Sequence, residues 1–309
     1  MHIPDSMLQG AICPVTAVVS SFGIATAAYA ARRTQTPPAR FAGVTSLIFA
    51  GQMMNFPIME GTSGHLLGGV LAASLLGTPL GVLSMALVVV IQSLLFSDGG
   101  ITVLGANLFN MALVGAGVGG LLRAALAAGW RSPAGVLLAT AVAAWASIVL
   151  ASLAVSVELA MAGQIAFSRV VAAMVGKHAL IGLGEAAITA AVCAWLGAAA
   201  TVTSPRGKAI VPFATAAVIA LALSPFACGC PDGLEWVAEK YVFLHEAAPA
   251  FVSPLPGYAV PRIGHAWLST GLAGLLGVMV VFASAWALLR LMTRAATRQS
   301  AGAGAVSGV

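Results

Sequence analysis

The stretch PAGVLLATAVAAWASIVLASLAV, residues 133–155, carries no charged side chain and opens on a proline suited to a first helical turn. A run of this length matches the roughly 20 apolar residues that an α-helix needs to cross the hydrocarbon core of a bilayer. It is bounded by Arg131 before it and by a polar stretch around Glu158 and Gln164 after it. Similar runs recur along the whole chain. The sequence of 309 residues is 60% hydrophobic and only 7% charged, with a mean hydropathy of +1.00. A soluble globule carries roughly 25% charged residues, so this composition excludes one and defines an all-α, polytopic membrane helical bundle. The 35 glycines, set among many alanines, suit close backbone approach between spans.

Working outward, the apolar runs predict nine elements. The first covers Cys13 to Ala31 and the second Phe41 to Phe56. A short piece, Leu66 to Gly77, would rise only about 20 Å as a helix and reads as partly re-entrant. The fourth and fifth are Pro79 to Phe96 and Val103 to Leu122, and the sixth is the opening stretch. A seventh lies within Val170 to Ala200, where Arg169, Lys177 and His178 suggest an interfacial start. The eighth runs from Ala209 to Cys228 and the ninth from Ala266 to Leu289. Between these last two, residues 229–264 hold Asp232, Glu235, Glu239, Lys240, Glu246 and five prolines, which predicts a small polar unit outside the bilayer. The small-residue tail beyond the ninth element reads as disordered.

The net charge of +5 is not a nucleic-acid footprint, because the basic residues are scattered between spans rather than clustered with aromatics. They act as topology signals. Arg32, Arg33, Arg40, Arg123, Arg131, Arg206, Lys208, Arg290, Arg294 and Arg298 all fall on one side of the nine-element arrangement. The positive-inside rule makes that side cytoplasmic. The N-terminus, the turn before His65 and the turn at Asp98 then share the outer face, and the C-terminus is cytoplasmic. The first ten residues lack the basic start of a signal peptide and read as mature protein. Cys13, Cys193, Cys228 and Cys230 have no zinc-finger spacing.

Met1-His2 offers one cation its terminal amine, the His2 amide nitrogen and the His2 imidazole Nδ1, closing adjacent five- and six-membered rings. One further nitrogen completes a square that suits Ni²⁺ or Cu²⁺ better than Mg²⁺, Ca²⁺ or tetrahedral Zn²⁺. His65 opens an apolar segment, where an ionisable residue is a functional candidate, although a helix-capping or interfacial role is the alternative. Gln52, Asn55, Gln92, Asp98 and Asn107 stand at the edges of spans. They read either as groups orienting the imidazoles or as interhelical hydrogen-bonding amides. Asn110, three residues after Asn107, poses the same choice. His178 and Glu185, seven apart on one helix face, suggest a structural pair, a contact with a partner subunit or a proton relay. His245 and His265 read as structural. No nucleophile elbow, P-loop or His-Glu-x-x-His pattern is present.

Met1-His2-Ile3-Pro4-Asp5, Ser63-Gly64-His65-Leu66-Leu67-Gly68-Gly69, Asp98-Gly99-Gly100 with Gly105-Ala106-Asn107, and His178-Ala179-Leu180-Ile181-Gly182 with Gly184-Glu185 together resemble the CbiM/NikM family. Its members are substrate-specific membrane components of energy-coupling factor (ECF) transporters for cobalt and nickel. The resemblance covers residues 1–203. Residues 204–295, with Pro231-Asp232-Gly233-Leu234-Glu235, resemble the CbiN/NikN component and its PDGLE domain, leaving 296–309 as the tail.

The resemblance implies Ni²⁺ or Co²⁺ as transported substrate, held by Met1, His2 and His65, and no catalytic activity or organic cofactor. It implies as partners a CbiQ/NikQ-like transmembrane coupling component and CbiO/NikO-like cytoplasmic ATPases in a prokaryotic cell membrane. Two other readings are a secondary metal carrier acting alone and an intramembrane enzyme using His178 and Glu185 as acid and base.

Overall fold

The computed structural model describes residues 1–202, 207–243 and 250–306, with side chains throughout except at 60, 198–202 and 296–306. His245 and the loop at 203–206 lie outside the described residues. The architecture is all-helical apart from one small hairpin. Helices α1 (Ile12–Ala31) and α2 (Pro38–Gln52) are followed by strands β1 (Asn55–Pro57) and β2 (Ser63–His65). Next come α3 (Gly69–Leu76), α4 (Thr78–Phe96), α5 (Leu104–Gly129), α6 (Pro133–Met161) and α7 (Phe167–Val202). The C-terminal part comprises α8 (Gly207–Phe226), the short α9 (Gly233–Lys240) and α10 (Ala266–Val306).

Among the described residues, seven helices are long and apolar enough to cross a membrane: α1, α4, α5, α6, α7, α8 and α10. The two remaining expected spans are shorter. Helix α2, with 15 residues, rises about 22 Å and stops at Gln52, because Asn55 to Pro57 are drawn into antiparallel pairing with Ser63 to His65. Apolar composition alone does not distinguish that strand from a continuing helix. Helix α3 has only eight residues and turns back into α4 at Gly77, whose φ of +86° is open to glycine at little steric cost. The Arg40 guanidinium donates to the Leu75 carbonyl at 2.9 Å, so the far end of α3 is level with the start of α2.

Three other expectations shift. Helix α6 continues to Met161, which takes Glu158 into a buried helical position. Residues 167–202 form one continuous helix rather than an interfacial piece followed by a span. Helix α10 extends to Val306, so the backbone is helical over most of the stretch expected as a disordered tail. That segment is rich in alanine, the strongest helix former.

The core forms around α2, whose residues from Phe41 to Ala50 are all buried. Helices α8 and α10 pack on one side of it and α3 and α4 on another. A Cβ on Gly43 would stand 2.5 Å from the Ala209 carbonyl oxygen, so α2 and α8 meet backbone to backbone. The C-terminal helices are therefore part of the bundle wall rather than an appendage.

Candidate metal centre

The first residues of the chain run inward. Ile3 and Met7 are fully buried, and Met1 is 5% exposed. Two anchors fix this course. Asn107, in α5, accepts from the Ile3 amide at 2.8 Å and donates to the Ile3 carbonyl at 3.0 Å. The Asp5 carboxylate accepts from both the amide and the hydroxyl of Thr102, at 2.8 and 2.7 Å. The Asp98-Gly99-Gly100 turn closes against the same N-terminal segment, with the Gly100 amide donating to the Ile3 carbonyl at 2.8 Å. A Cβ on Gly99 would lie 2.9 Å from the Asn107 amide nitrogen, so the turn requires glycine.

This clamp brings the Met1 amine to 3.0 Å from His65 Nε2 and 2.8 Å from the Asp232 carboxylate. His65 Nδ1 lies 3.0 Å from the Leu66 carbonyl. A carbonyl only accepts, so Nδ1 holds the ring proton and Nε2 turns its lone pair to the amine. Burial, and then the positive charge of the amine, lower the His65 pKa to about 3, which keeps that lone pair available. Burial pushes the Asp232 carboxyl upward, but the amine and His65 beside it outweigh this and hold its pKa well below the usual carboxylate range.

The His2 ring stacks on His65 with centroids 5.5 Å apart. Its own surroundings are set by three polar groups. The Tyr258 hydroxyl donates to Asp98 at 2.6 Å and accepts from the Gln92 amide nitrogen at 3.2 Å. Gln92 Oε1 is thereby left to accept from His2 Nε2 at 3.1 Å. Burial lowers the His2 pKa, despite the opposing pull of Asp98. His2 Nδ1 lies 3.1 Å from an Asp98 oxygen.

A cavity of about 450 Å³ opens beside the two histidines, lined among others by Asp98, Asp232, Glu235 and Tyr258. Among the described residues, no three His, Cys, Asp or Glu side chains converge closely enough to hold a metal ion by themselves. A metal here therefore depends on main-chain donors, and the terminal amine is the one that faces His65.

The remaining candidate residues make their hydrogen bonds to groups other than the imidazoles of His2 and His65, although Gln52 and Asn55 line the same cavity as those two histidines. Gln52 donates to the Leu67 carbonyl at 2.7 Å. Asn55 pairs across the hairpin with His65, and its carbonyl accepts from the Cys228 amide at 2.9 Å. Asn107 grips the main chain at Ile3, whereas Asn110 donates to Glu158 at 2.7 Å, away from the histidines. His178 and Glu185 do not bond each other. Helical spacing set them on one face, but His178 Nδ1 turns back to the Met174 carbonyl at 2.8 Å. Glu185 accepts from the Leu67 and Gly68 amides at 2.7 and 2.9 Å, fixing the turn after His65.

Sequence reasoning missed Asp232 and Tyr258 as neighbours of the histidines. Asp232 caps α9 through the Leu234 and Glu235 amides, and Glu235 returns a bond to the Asp232 amide. That Asp-x-x-Glu capping box is visible in the sequence, but its meeting with the N-terminus is not. The connection is reinforced nearby: the Ser63 amide and hydroxyl donate to the Pro231 and Cys230 carbonyls at 2.8 and 2.7 Å.

A helical membrane bundle whose N-terminus converges with two histidines and two carboxylates carries nitrogen and oxygen donors of the kind that take a cation. Residues 2–202 match the family described as cobalt uptake substrate-specific transmembrane region, and residues 206–294 match the PDGLE domain. The chain is 36% identical over 299 residues to a putative fused nickel transport protein NikMN of Archaeoglobus fulgidus, covering 94% of this chain and 98% of that one. It is 31% identical to the fused nickel transport protein NikMN of Rhodobacter capsulatus, covering 96% and 100%. A crystal structure of a transition metal transporter superposes with a TM-score of 0.57 at 30% identity, over 64% of this chain and 93% of that one.

The chain belongs to the CbiM family, in the form fused to a PDGLE domain. It is a non-catalytic, multi-pass membrane component of nickel or cobalt transport. The enzyme reading of His178 and Glu185 is thereby set aside, in keeping with their separate partners.

Proposed function

We propose that this chain is the substrate-binding component of an ATP-driven ECF importer and takes Ni²⁺ or Co²⁺ on its own N-terminus. The metal sits among the Met1 amine, the His2 amide nitrogen, His2 Nδ1 and His65 Nε2. The observation that carries this reading is the 3.0 Å approach of the Met1 amine to His65 Nε2 across 64 residues of sequence. The ammonium protons there answer His65 and Asp232, and a divalent cation replaces them. All four donors are nitrogens, a set suited to Ni²⁺ and Co²⁺. Asp98 beside His2 and Asp232 beside the amine offset the cation's charge, and Glu235 adds to the negative potential of the cavity.

The site opens on the extracytoplasmic face. Arg32, Arg40 and Lys208 lie at helix ends remote from the histidines, and Arg123 and Arg290 lie in the remote parts of α5 and α10; by the positive-inside rule that side is cytoplasmic. Energy comes from a CbiQ/NikQ-like coupling component and CbiO/NikO-like ATPases bound from that side.

The test is metal analysis of the purified chain beside a variant with one residue inserted between Met1 and His2. The insertion keeps every side chain but breaks the fused chelate rings. The variant is expected to lose stoichiometric nickel and cobalt, and unchanged metal content would refute the amine ligand.

A further inference from the structure

A second cavity, of about 270 Å³, lies at the opposite end of the same helices. Arg40, which lines it, is 12 positions before Gln52 on α2, about 18 Å along the axis from the metal end. Its lining divides by chemistry. Arg40, Arg123 and Lys208 supply three positive groups, while Val44, Leu75, Leu196, Val211 and Pro212 supply an apolar wall.

Arg40 and Arg123 are half-buried. One Arg40 nitrogen donates to the Leu75 carbonyl at 2.9 Å, and Arg123 Nε donates to the Thr140 hydroxyl at 3.3 Å. Both partners are neutral. Among the described residues no carboxylate lies within ion-pair distance of Arg40, Arg123 or Lys208. Half-buried cations without counter-charge are costly at the level of a bilayer, and guanidinium forks match phosphate oxygens.

The apolar wall excludes a small hydrated anion as the full occupant. The cavity lies at the basic end of helices long and apolar enough to cross a membrane, and basic pockets between transmembrane helices bind lipid headgroups. We propose that this cavity binds one anionic phospholipid, its phosphate on Arg40, Arg123 and Lys208 and the upper part of an acyl chain along Val44, Val211 and Pro212. The volume is just below the usual range of ligand sites, about 300–1,000 Å³, enough for the phosphate and first chain carbons while the tails run out between helices. The site falls on the seam between the two family units. Gly207, Lys208, Val211 and Pro212 come from α8, and the other lining residues come from α2, α3, α5, α6 and α7. The bound lipid therefore ties the PDGLE-bearing helices to the CbiM-like bundle.

The experiment uses the full chain in neutral detergent, with no partner protein, titrated separately with dioleoyl phosphatidylglycerol, dioleoyl phosphatidylcholine and inorganic phosphate. Lipid affinity and the thermal unfolding midpoint are read together. Phosphatidylglycerol is expected to bind saturably and raise the midpoint, and phosphatidylcholine and phosphate to do neither. In the double variant Arg40→Gln with Arg123→Gln, phosphatidylglycerol affinity is expected to fall about 30-fold, given roughly one order-of-magnitude step or less per basic group. The exposed-site control Arg131→Gln is expected to keep wild-type affinity.

A cooperative unfolding transition in phosphatidylcholine checks that the double variant is folded. If it is not, Val211→Trp, which fills the cavity and leaves all charges in place, is read instead and is expected to lose the same binding. Equal response to the two lipids, a shift reproduced by phosphate alone, or undiminished phosphatidylglycerol binding in the folded variant would each overturn the proposal.

Discussion

At the residue scale, the decisive feature is the terminal ammonium of Met1, a residue whose side chain is 4% exposed, with one carboxylate and one imidazole as the group's neighbours. Replacing Asp232 by alanine leaves that charge without its counter-ion. Removing one partner of a buried ion pair typically costs about 3–5 kcal/mol, and about 3 is expected here because Asp232 keeps some contact with the cavity. The thermal midpoint of the metal-free variant should fall accordingly, and an unchanged midpoint would show that solvent already screens the pair. The depressed Asp232 pKa implies that its contribution is present above the ordinary carboxylate range and is lost as pH falls through the folded value.

His65 has the same sense of pH dependence for a different reason. Its folded pKa of about 3 lies below the ordinary 6.5, so below 6.5 the unfolded chain binds a proton that the fold refuses. Metal-free stability should therefore decline from about pH 6.5 downward by up to about 1.4 kcal/mol per pH unit for this group. Denaturant unfolding at a series of pH values measures it, and His65→Gln should flatten the slope. Metal affinity should also weaken in acid, from about pH 8 to about pH 5.5, because amine and amide protons compete with the cation. His65 stays neutral across that range and contributes little to the change. These residues were legible unevenly. Met1, His2 and His65 stood out because their donor chemistry is local. Asp232 did not, because the contact that gives it meaning spans 231 positions and no spacing rule reaches that far.

At the element scale, the hairpin β1–β2 and helix α9 act as one piece. Strand β2 ends on His65, Ser63 bonds the turn that leads into α9, and Asp232 caps the start of α9. Gly233 lets this piece settle onto α7, since a Cβ there would lie 2.8 Å from His178 Cε1. His178 therefore works as a surface against which the PDGLE turn rests.

Gly233→Ala should lift Asp232 from the amine, weakening nickel retention and lowering the thermal midpoint. Adding His178→Ala should restore part of both by vacating the space, a non-additivity typical of residues in contact. Strict additivity of the two substitutions would rule out this contact as the cause. The long spans α4, α6 and α8 were readable from hydropathy because the bilayer imposes a length. The hairpin was not, because Asn55 to Pro57 continue an apolar run and only their cross-chain partners make them a strand.

At the scale of the whole molecule, the polar unit at 229–264 and the N-terminus share one end of the bundle, and the lipid-type cavity and most of the basic side chains share the other. Composition made this polarity legible, because scattered basic residues in a hydrophobic chain have few places to go. It left open that α8 and α10 embrace α2, since apolar helix faces do not name their partners. The polarity fixes an expected orientation. Val252, 80% exposed in the polar unit, belongs on the extracytoplasmic side, and the exposed Gln35, between α1 and α2, belongs in the cytoplasm. In a variant whose four native cysteines are replaced, Val252→Cys should react in intact cells with a maleimide that does not cross membranes. Gln35→Cys should react only after permeabilisation. The reverse pattern would place the histidines on the cytoplasmic face, where metal captured at Met1 would have to come from inside the cell, and an importer would be excluded. Labelling at both positions in intact cells would mean that the chain inserts in two orientations, and the charge bias would then be too weak to set its topology.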